Sequence, residues 1–197
     1  VWTDKSVSTE DVSFTGGVNE RVKKGDSNFL VTFSALANSS QVTGRSKVPV
    51  DVVFVIDNSN SMDADLSRYQ TRLQATVTAV NSSIGQIMNS NPDSRVAVVV
   101  YGGEAYTLLP LGHYEPMSNG NYVSVTGNFS GNNNSYTNFS ASGNQSLRMS
   151  GGDRGTNTHM GVDAGMDILR SATGIGEGAT KHVPALILLS DGASTYS

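Results

Sequence analysis

Hydrophobic positions in this chain fall into two patterns. The run Val52-Val53-Phe54-Val55-Ile56 has no polar residue and is rich in β-branched types. Such a run predicts a strand covered on both faces of a parallel sheet. Val96 to Tyr101 predicts a second apolar strand, and Val183 to Leu189 a last one, also covered on both faces. Gly102-Gly103 can turn the second strand into an antiparallel partner, Ala105 to Leu111, where Pro110 suits an edge. The other pattern is helical. Leu73, Val77, Val80, Ile84 and Ile87 form one amphipathic stripe, with Ser67-x-x-Gln70 as its capping box and Pro92 near its end. His159 to Ser171 predicts another helix, with Met160, Ala164 and Ile168 on one side. The fold class implied is α/β, a doubly wound, mainly parallel sheet flanked by helices.

The flanks read differently. Residues 1–46 have β character, with turns at Gly16-Gly17 and Lys24-Gly25-Asp26. Two or three strands make no stable sheet domain alone. The segment is therefore expected to be a partial β-sandwich, a stalk completed by other sequence. Residues 47–197 are expected to form the α/β domain, incomplete at its C-terminal side. Only two helices are legible, and the Ala185 strand would otherwise be a bare apolar edge. Between them, residues 113–152 are rich in Asn, Ser and Gly. This stretch reads either as a mobile surface loop or as a functional insertion near the rim it leads into. The Gly174-x-Gly176-x-Gly178 segment follows a helix and precedes a strand, the reverse of a phosphate loop.

Composition narrows the partners. The chain has 197 residues, a formal net charge of −4 and no cysteine. With no basic cluster, nucleic acid is not an expected partner. Without cysteine there are no disulfides. The sequence reads as a mature or excised piece without a membrane-inserted segment, so localisation rests on resemblance.

The chemistry lies where the first strand ends. Asp57, Ser59 and Ser61 leave its carboxyl end at alternate positions. In open α/β sheets that rim is where ligands bind. One carboxylate and two hydroxyls, with no sulfur or imidazole, point to a hard cation: Mg²⁺ first, Ca²⁺ or Mn²⁺ next. The Asp-x-Ser-x-Ser spacing resembles the metal-ion-dependent adhesion site of the von Willebrand factor type A family. That resemblance supplies two distant ligands. Thr156 stands in Gly155-Thr156-Asn157-Thr158, and Asp191 in Ser190-Asp191-Gly192 after an apolar run. It implies that the hydroxyls of Ser59, Ser61 and Thr156 bind metal directly, while one or both of Asp57 and Asp191 act through water. An open coordination position would then take an Asp or Glu of a protein ligand. That is adhesion, and no bond is broken.

Enzyme readings fare worse. His159 and Asp163 are four apart on a helix, but no third ligand has suitable spacing, so a surface pair is expected. No Gly-x-Ser-x-Gly elbow is present. A metal-dependent phosphatase would want more carboxylates and a second metal.

The phrases Val1 to Val7, Phe29 to Leu36 and Val50 to Asp57 together resemble cell-wall-anchored surface proteins of Gram-positive bacteria, pilus tip adhesins above all. The resemblance implies an extracellular adhesin at the cell wall or pilus tip that binds a host or matrix protein. The alternative is a structural module whose metal site binds a neighbouring pilus subunit. Related surface domains carry Lys–Asn isopeptide bonds, which makes Lys5 a candidate, with a solvent-facing lysine as the alternative.

Overall fold

The structure is a computed structural model that describes residues 2–10, 12–14, 20–22, 30–36, 48–172, 174 and 181–192; for the strands before residue 37 it describes the backbone alone. The chain divides into two compact units, Val1–Gly44 and Arg45–Ser197.

The first unit is antiparallel β structure. β1 (Trp2–Ser8) pairs with β4 (Leu30–Leu36), and β2 (Val12–Phe14) pairs with β3 (Glu20–Val22). Lys5 stands opposite Phe33 in the β1–β4 register. The isopeptide expectation concerns the Lys5 side chain, which lies outside the described residues.

The second unit is built on a four-stranded sheet. Its strands are β5 (Val50–Asp57), β8 (Arg95–Tyr101), β9 (Ala105–Gly112) and β13 (Val183–Leu189), in the order β13-β5-β8-β9. The first three in that order run parallel, and β9 is an antiparallel edge. Pro110 sits on that edge, where a missing N–H costs no ladder bond.

Strand periodicity sends alternate residues to opposite faces. Val52, Phe54, Ile56, Val96, Val98 and Val100 pack against helix α1 (Arg72–Ser90) through Leu73, Val77, Val80, Ile84 and Met88. Val53, Val55, Ala97, Val99 and Tyr101 face helix α2 (Thr158–Ser171) and Leu169. At the amino end, a buried carboxylate ties the three parallel strands. Asp51 accepts from Arg95 Nε at 2.8 Å and Nη2 at 2.6 Å, with His182 Nδ1 at 2.7 Å. The bond to Asp51 raises the Arg95 guanidinium pKa, against the opposing effect of desolvation. With that register fixed, Asp57 ends beside Tyr101 and Leu189 beside Ile56, so the strands finish at one rim.

Several expectations are corrected. The capping box belongs to Thr71 and Gln74: Gln74 N–H donates to Thr71 Oγ1 at 3.2 Å, and Thr71 N–H to Gln74 Oε1 at 2.9 Å. Residues 65–71 instead form a small hairpin, β6 (Asp65–Ser67) with β7 (Gln70–Thr71), which delays the helix start. Met88 completes the buried stripe, and Ile87 is only partly buried. On α2 the fully buried positions are Gly161, Gly165 and Leu169; Ala164 and Ile168 of the expected side are partly buried against the same core, while Met160 is exposed. The helix lies so close to the sheet that glycine faces it. Among the described residues β13 stands at the edge of the sheet with Val183, Ile187 and Leu188 exposed, the bare apolar edge on which the expectation of further sequence rests.

The largest correction is the 113–152 stretch. It holds a three-stranded antiparallel sheet, β10 (Val123–Asn128), β11 (Tyr136–Ala141) and β12 (Gln145–Ser150). Tyr122, Val123, Phe139, Ala141 and Met149 are buried in the same core as α1 and the main sheet. Asn81 of α1 fastens it: its Oδ1 accepts from Tyr122 N–H at 2.7 Å and Val123 N–H at 2.9 Å.

Candidate metal site

β5 delivers Asp57 to the rim fully buried. Its carboxylate shapes the loop that follows. Ser59 N–H donates to Asp57 Oδ1 at 2.7 Å, an Asx-type turn. Ser190 Oγ donates to Asp57 Oδ2 at 2.6 Å and brings in the segment after β13. A short 3₁₀ turn, Asn60–Asp63, then returns the chain and places Ser61 beside Ser59.

The side-chain oxygens form a chain. Ser59 Oγ and Ser61 Oγ are 2.9 Å apart, and Ser61 Oγ donates to Asp191 Oδ1 at 2.8 Å. Asp191 Oδ2 is ion-paired with Arg72, the first residue of α1. Thr156, buried on the approach to α2, lines the same cavity of about 460 Å³ as Ser59, Ser61, Arg72 and Asp191. The structure thus gathers all five residues named from the sequence, with Asp57 behind the Ser59 turn.

The donors suit a small hard cation. Adjacent oxygens in an octahedral shell of Mg²⁺ radius, about 2.0–2.1 Å, stand about 2.9 Å apart. The Ser59–Ser61 and Ser61–Asp191 separations, set here by hydrogen bonds, are of the same size as that edge. Each Asp57 oxygen accepts one hydrogen bond, which ties the carboxylate to the Ser59 turn and to Ser190. Buried polar atoms without a partner also collect at this rim: Tyr101 Oη, Asn58 Oδ1 and Asn157 Oδ1. Buried groups of this kind are normally satisfied. Tyr101 Oη lies near Ser190, Thr158 and Asp57 without a well-formed hydrogen bond. Burial raises its pKa, the Ser190 and Thr158 hydroxyls lower it, and the Asp57 charge raises it again.

Some participants were not legible. Arg72, Arg154 and Gly155 line the cavity, and Asp63 sits buried behind it. Nothing in local sequence marks Asp63 and Arg154 as partners, since 91 positions separate them. Of the histidines, His113 Nδ1 contacts Ser94 O at 3.1 Å, His182 Nδ1 contacts Asp51, and His159 is exposed on α2 together with Asp163. Among the described residues no three His, Cys, Asp or Glu side chains converge on one point. The gathered set is rich in hydroxyls.

A family model for the von Willebrand factor type A domain matches residues 52–193. The chain belongs to the von Willebrand factor type A domain family. No curated protein and no solved structure matches it. The matched span holds all five candidate ligands and, among the described residues, helices α1 and α2 of this von Willebrand factor A domain. Domains of the family typically take part in protein–protein interactions.

Proposed function

We propose that this von Willebrand factor A domain is a metal-dependent adhesin. Ser59, Ser61 and Thr156 would hold a Mg²⁺-type ion directly, with Asp57 and Asp191 acting through water. The carrying observation is the run of close oxygens from Ser59 through Ser61 to Asp191, beside Thr156 at an open cavity. Such an ion, poorly neutralised by hydroxyl ligands, supplies a Lewis-acidic position for an acidic side chain of a protein ligand. The chain's own part is to keep the hydroxyls aligned and the loop fixed. The half-exposed Arg72 at the cavity mouth is ion-paired with Asp191 and holds that carboxylate at the rim. Binding alone, with no bond broken, fits this arrangement. An extracellular setting on a bacterial cell wall or pilus tip, with a host or matrix protein as partner, follows the resemblance of the flanking sequence.

Titration calorimetry with Mg²⁺ is the test. Wild-type protein is expected to bind one ion and Asp57→Ala none, with the fold retained; unchanged affinity in the variant would sink the proposal. Thr156→Ala should weaken capture of collagen, fibronectin or similar matrix proteins more than it weakens Mg²⁺ binding. That capture should vanish in EDTA.

A further inference from the structure

Arg154 is the largest fully buried side chain among the described residues. A buried guanidinium is tolerated only when paired and hydrogen-bonded. Here Asp63 supplies the pairing: Nη2 donates to Oδ1 at 2.6 Å and Nη1 to Oδ2 at 2.8 Å. The remaining donors go to two other places. Nε donates to Asn58 O at 2.9 Å and Nη2 reaches Ser59 O at 3.4 Å, both carbonyls of the candidate metal loop. Nη1 donates to Ser135 Oγ at 2.9 Å, in the inserted segment just before its middle strand β11. The backbone closes the ring, because Asn60 N–H donates to Arg154 O at 3.1 Å.

The inserted segment holds the loop by further bonds. Ser135 Oγ donates to Asn60 Oδ1 at 3.0 Å, and Asn58 Nδ2 to Thr137 Oγ1 at 2.9 Å. Gly131 N–H donates to Asp63 Oδ2 at 3.0 Å. Asp63 also neutralises the guanidinium, so Arg154 can sit beside a cation site without opposing it.

We propose that Arg154 is a positioning residue for the metal site, and that through it the β10–β12 sheet fixes the Ser59–Ser61 loop. This rests on the metal reading given above. Lysine could meet Asp63, but its three donors on one nitrogen cannot replace the five bonds that the guanidinium spreads over Asp63, the Asn58 and Ser59 carbonyls and Ser135.

Two variants test the role. Arg154→Lys keeps the buried charge pair. Arg154→Met combined with Asp63→Leu removes both charges, an exchange that buried ion pairs often tolerate. Thermal unfolding confirms the fold in each. In metal-free protein, amide exchange at Ser59, Asn60 and Met62 should rise about tenfold, the factor carried by one lost hydrogen bond to a charged group. Mg²⁺ affinity should fall about 10- to 100-fold, as when a group orienting metal ligands is lost. A folded variant with wild-type loop exchange or wild-type Mg²⁺ affinity would overturn the inference. Wild-type protein that takes up no Mg²⁺ would overturn the metal reading and this inference with it; faster exchange would then mark Arg154 as a purely structural clamp.

Discussion

Gly161→Ala should destabilise the von Willebrand factor A domain, although alanine is the better helix former. A Cβ at Gly161 would stand 2.6 Å from Tyr101 Cδ1, 2.8 Å from Tyr101 Cγ and 3.0 Å from Val55 Cγ1. These atoms sit near the root of buried side chains on two central strands, so they cannot swing aside. Exchanging glycine for alanine in a helix gains about 1 kcal/mol. Overpacking a close-packed core costs about 1–3 kcal/mol. With contacts this short the upper half applies, and the net loss should be about 1–2 kcal/mol. For a domain of this size that is a fall in midpoint of about 2–8 °C. Gly165→Ala is the internal control. Its Cβ would meet Leu186 Cδ1 at 2.8 Å and Val55 Cγ2 at 2.9 Å. The Leu186 methyl lies at a chain tip on edge strand β13 and can yield, whereas Val55 Cγ2 cannot, so the net loss should be about 0–2 kcal/mol and smaller than at Gly161. The damage should also reach the site. Asn157 N–H donates to Gly102 O at 2.8 Å and leads directly into α2, so lifting the helix displaces Thr156. Scanning calorimetry gives the midpoints and Mg²⁺ titration reads the site. An unchanged or raised midpoint for Gly161→Ala, or a larger loss for Gly165→Ala, would refute the packing argument.

Two other outcomes follow from burial. Phe139→Ala should cost about 3–5 kcal/mol in denaturant unfolding, since Phe139 fills the core shared by the inserted sheet and α1; a loss below about 1 kcal/mol would mean the insertion is a surface appendage. Tyr101 carries a raised phenol pKa, so its neutral form is favoured in the fold. That stability is complete below its unfolded value of about 10 and is lost as pH rises through the higher folded value. Tyr101→Phe should therefore flatten part of the alkaline fall in melting midpoint, and identical profiles between about pH 8 and about pH 11 would contradict it.

The sequence by itself determined the parts that depend on neighbours along the chain. Val52 to Ile56 reads as a covered strand because its pattern is local, and Asp57, Ser59 and Ser61 read as candidate cation ligands because five consecutive positions hold all three. Thr156 and Asp191 were reachable only through family resemblance, as nothing local brings them to that loop. Tertiary structure decided the rest. Residues 113–152 look like a loop because their apolar residues are sparse and their hairpin turn uses Gly143 at φ 69° and Asn144 at φ 58°. They form a sheet because Val123, Phe139 and Met149 find α1 and β9 to pack on. On α2, Ala164 and Ile168 of the expected stripe pack partly against the sheet, and Met160 is exposed. Periodicity marks the apolar stripe, but the distance of closest approach to the sheet selects glycine for contact. Arg154 and Asp63 show the limit most clearly: either charge alone reads as solvent-exposed, and only the fold, by excluding water from both, makes each the other's necessary partner.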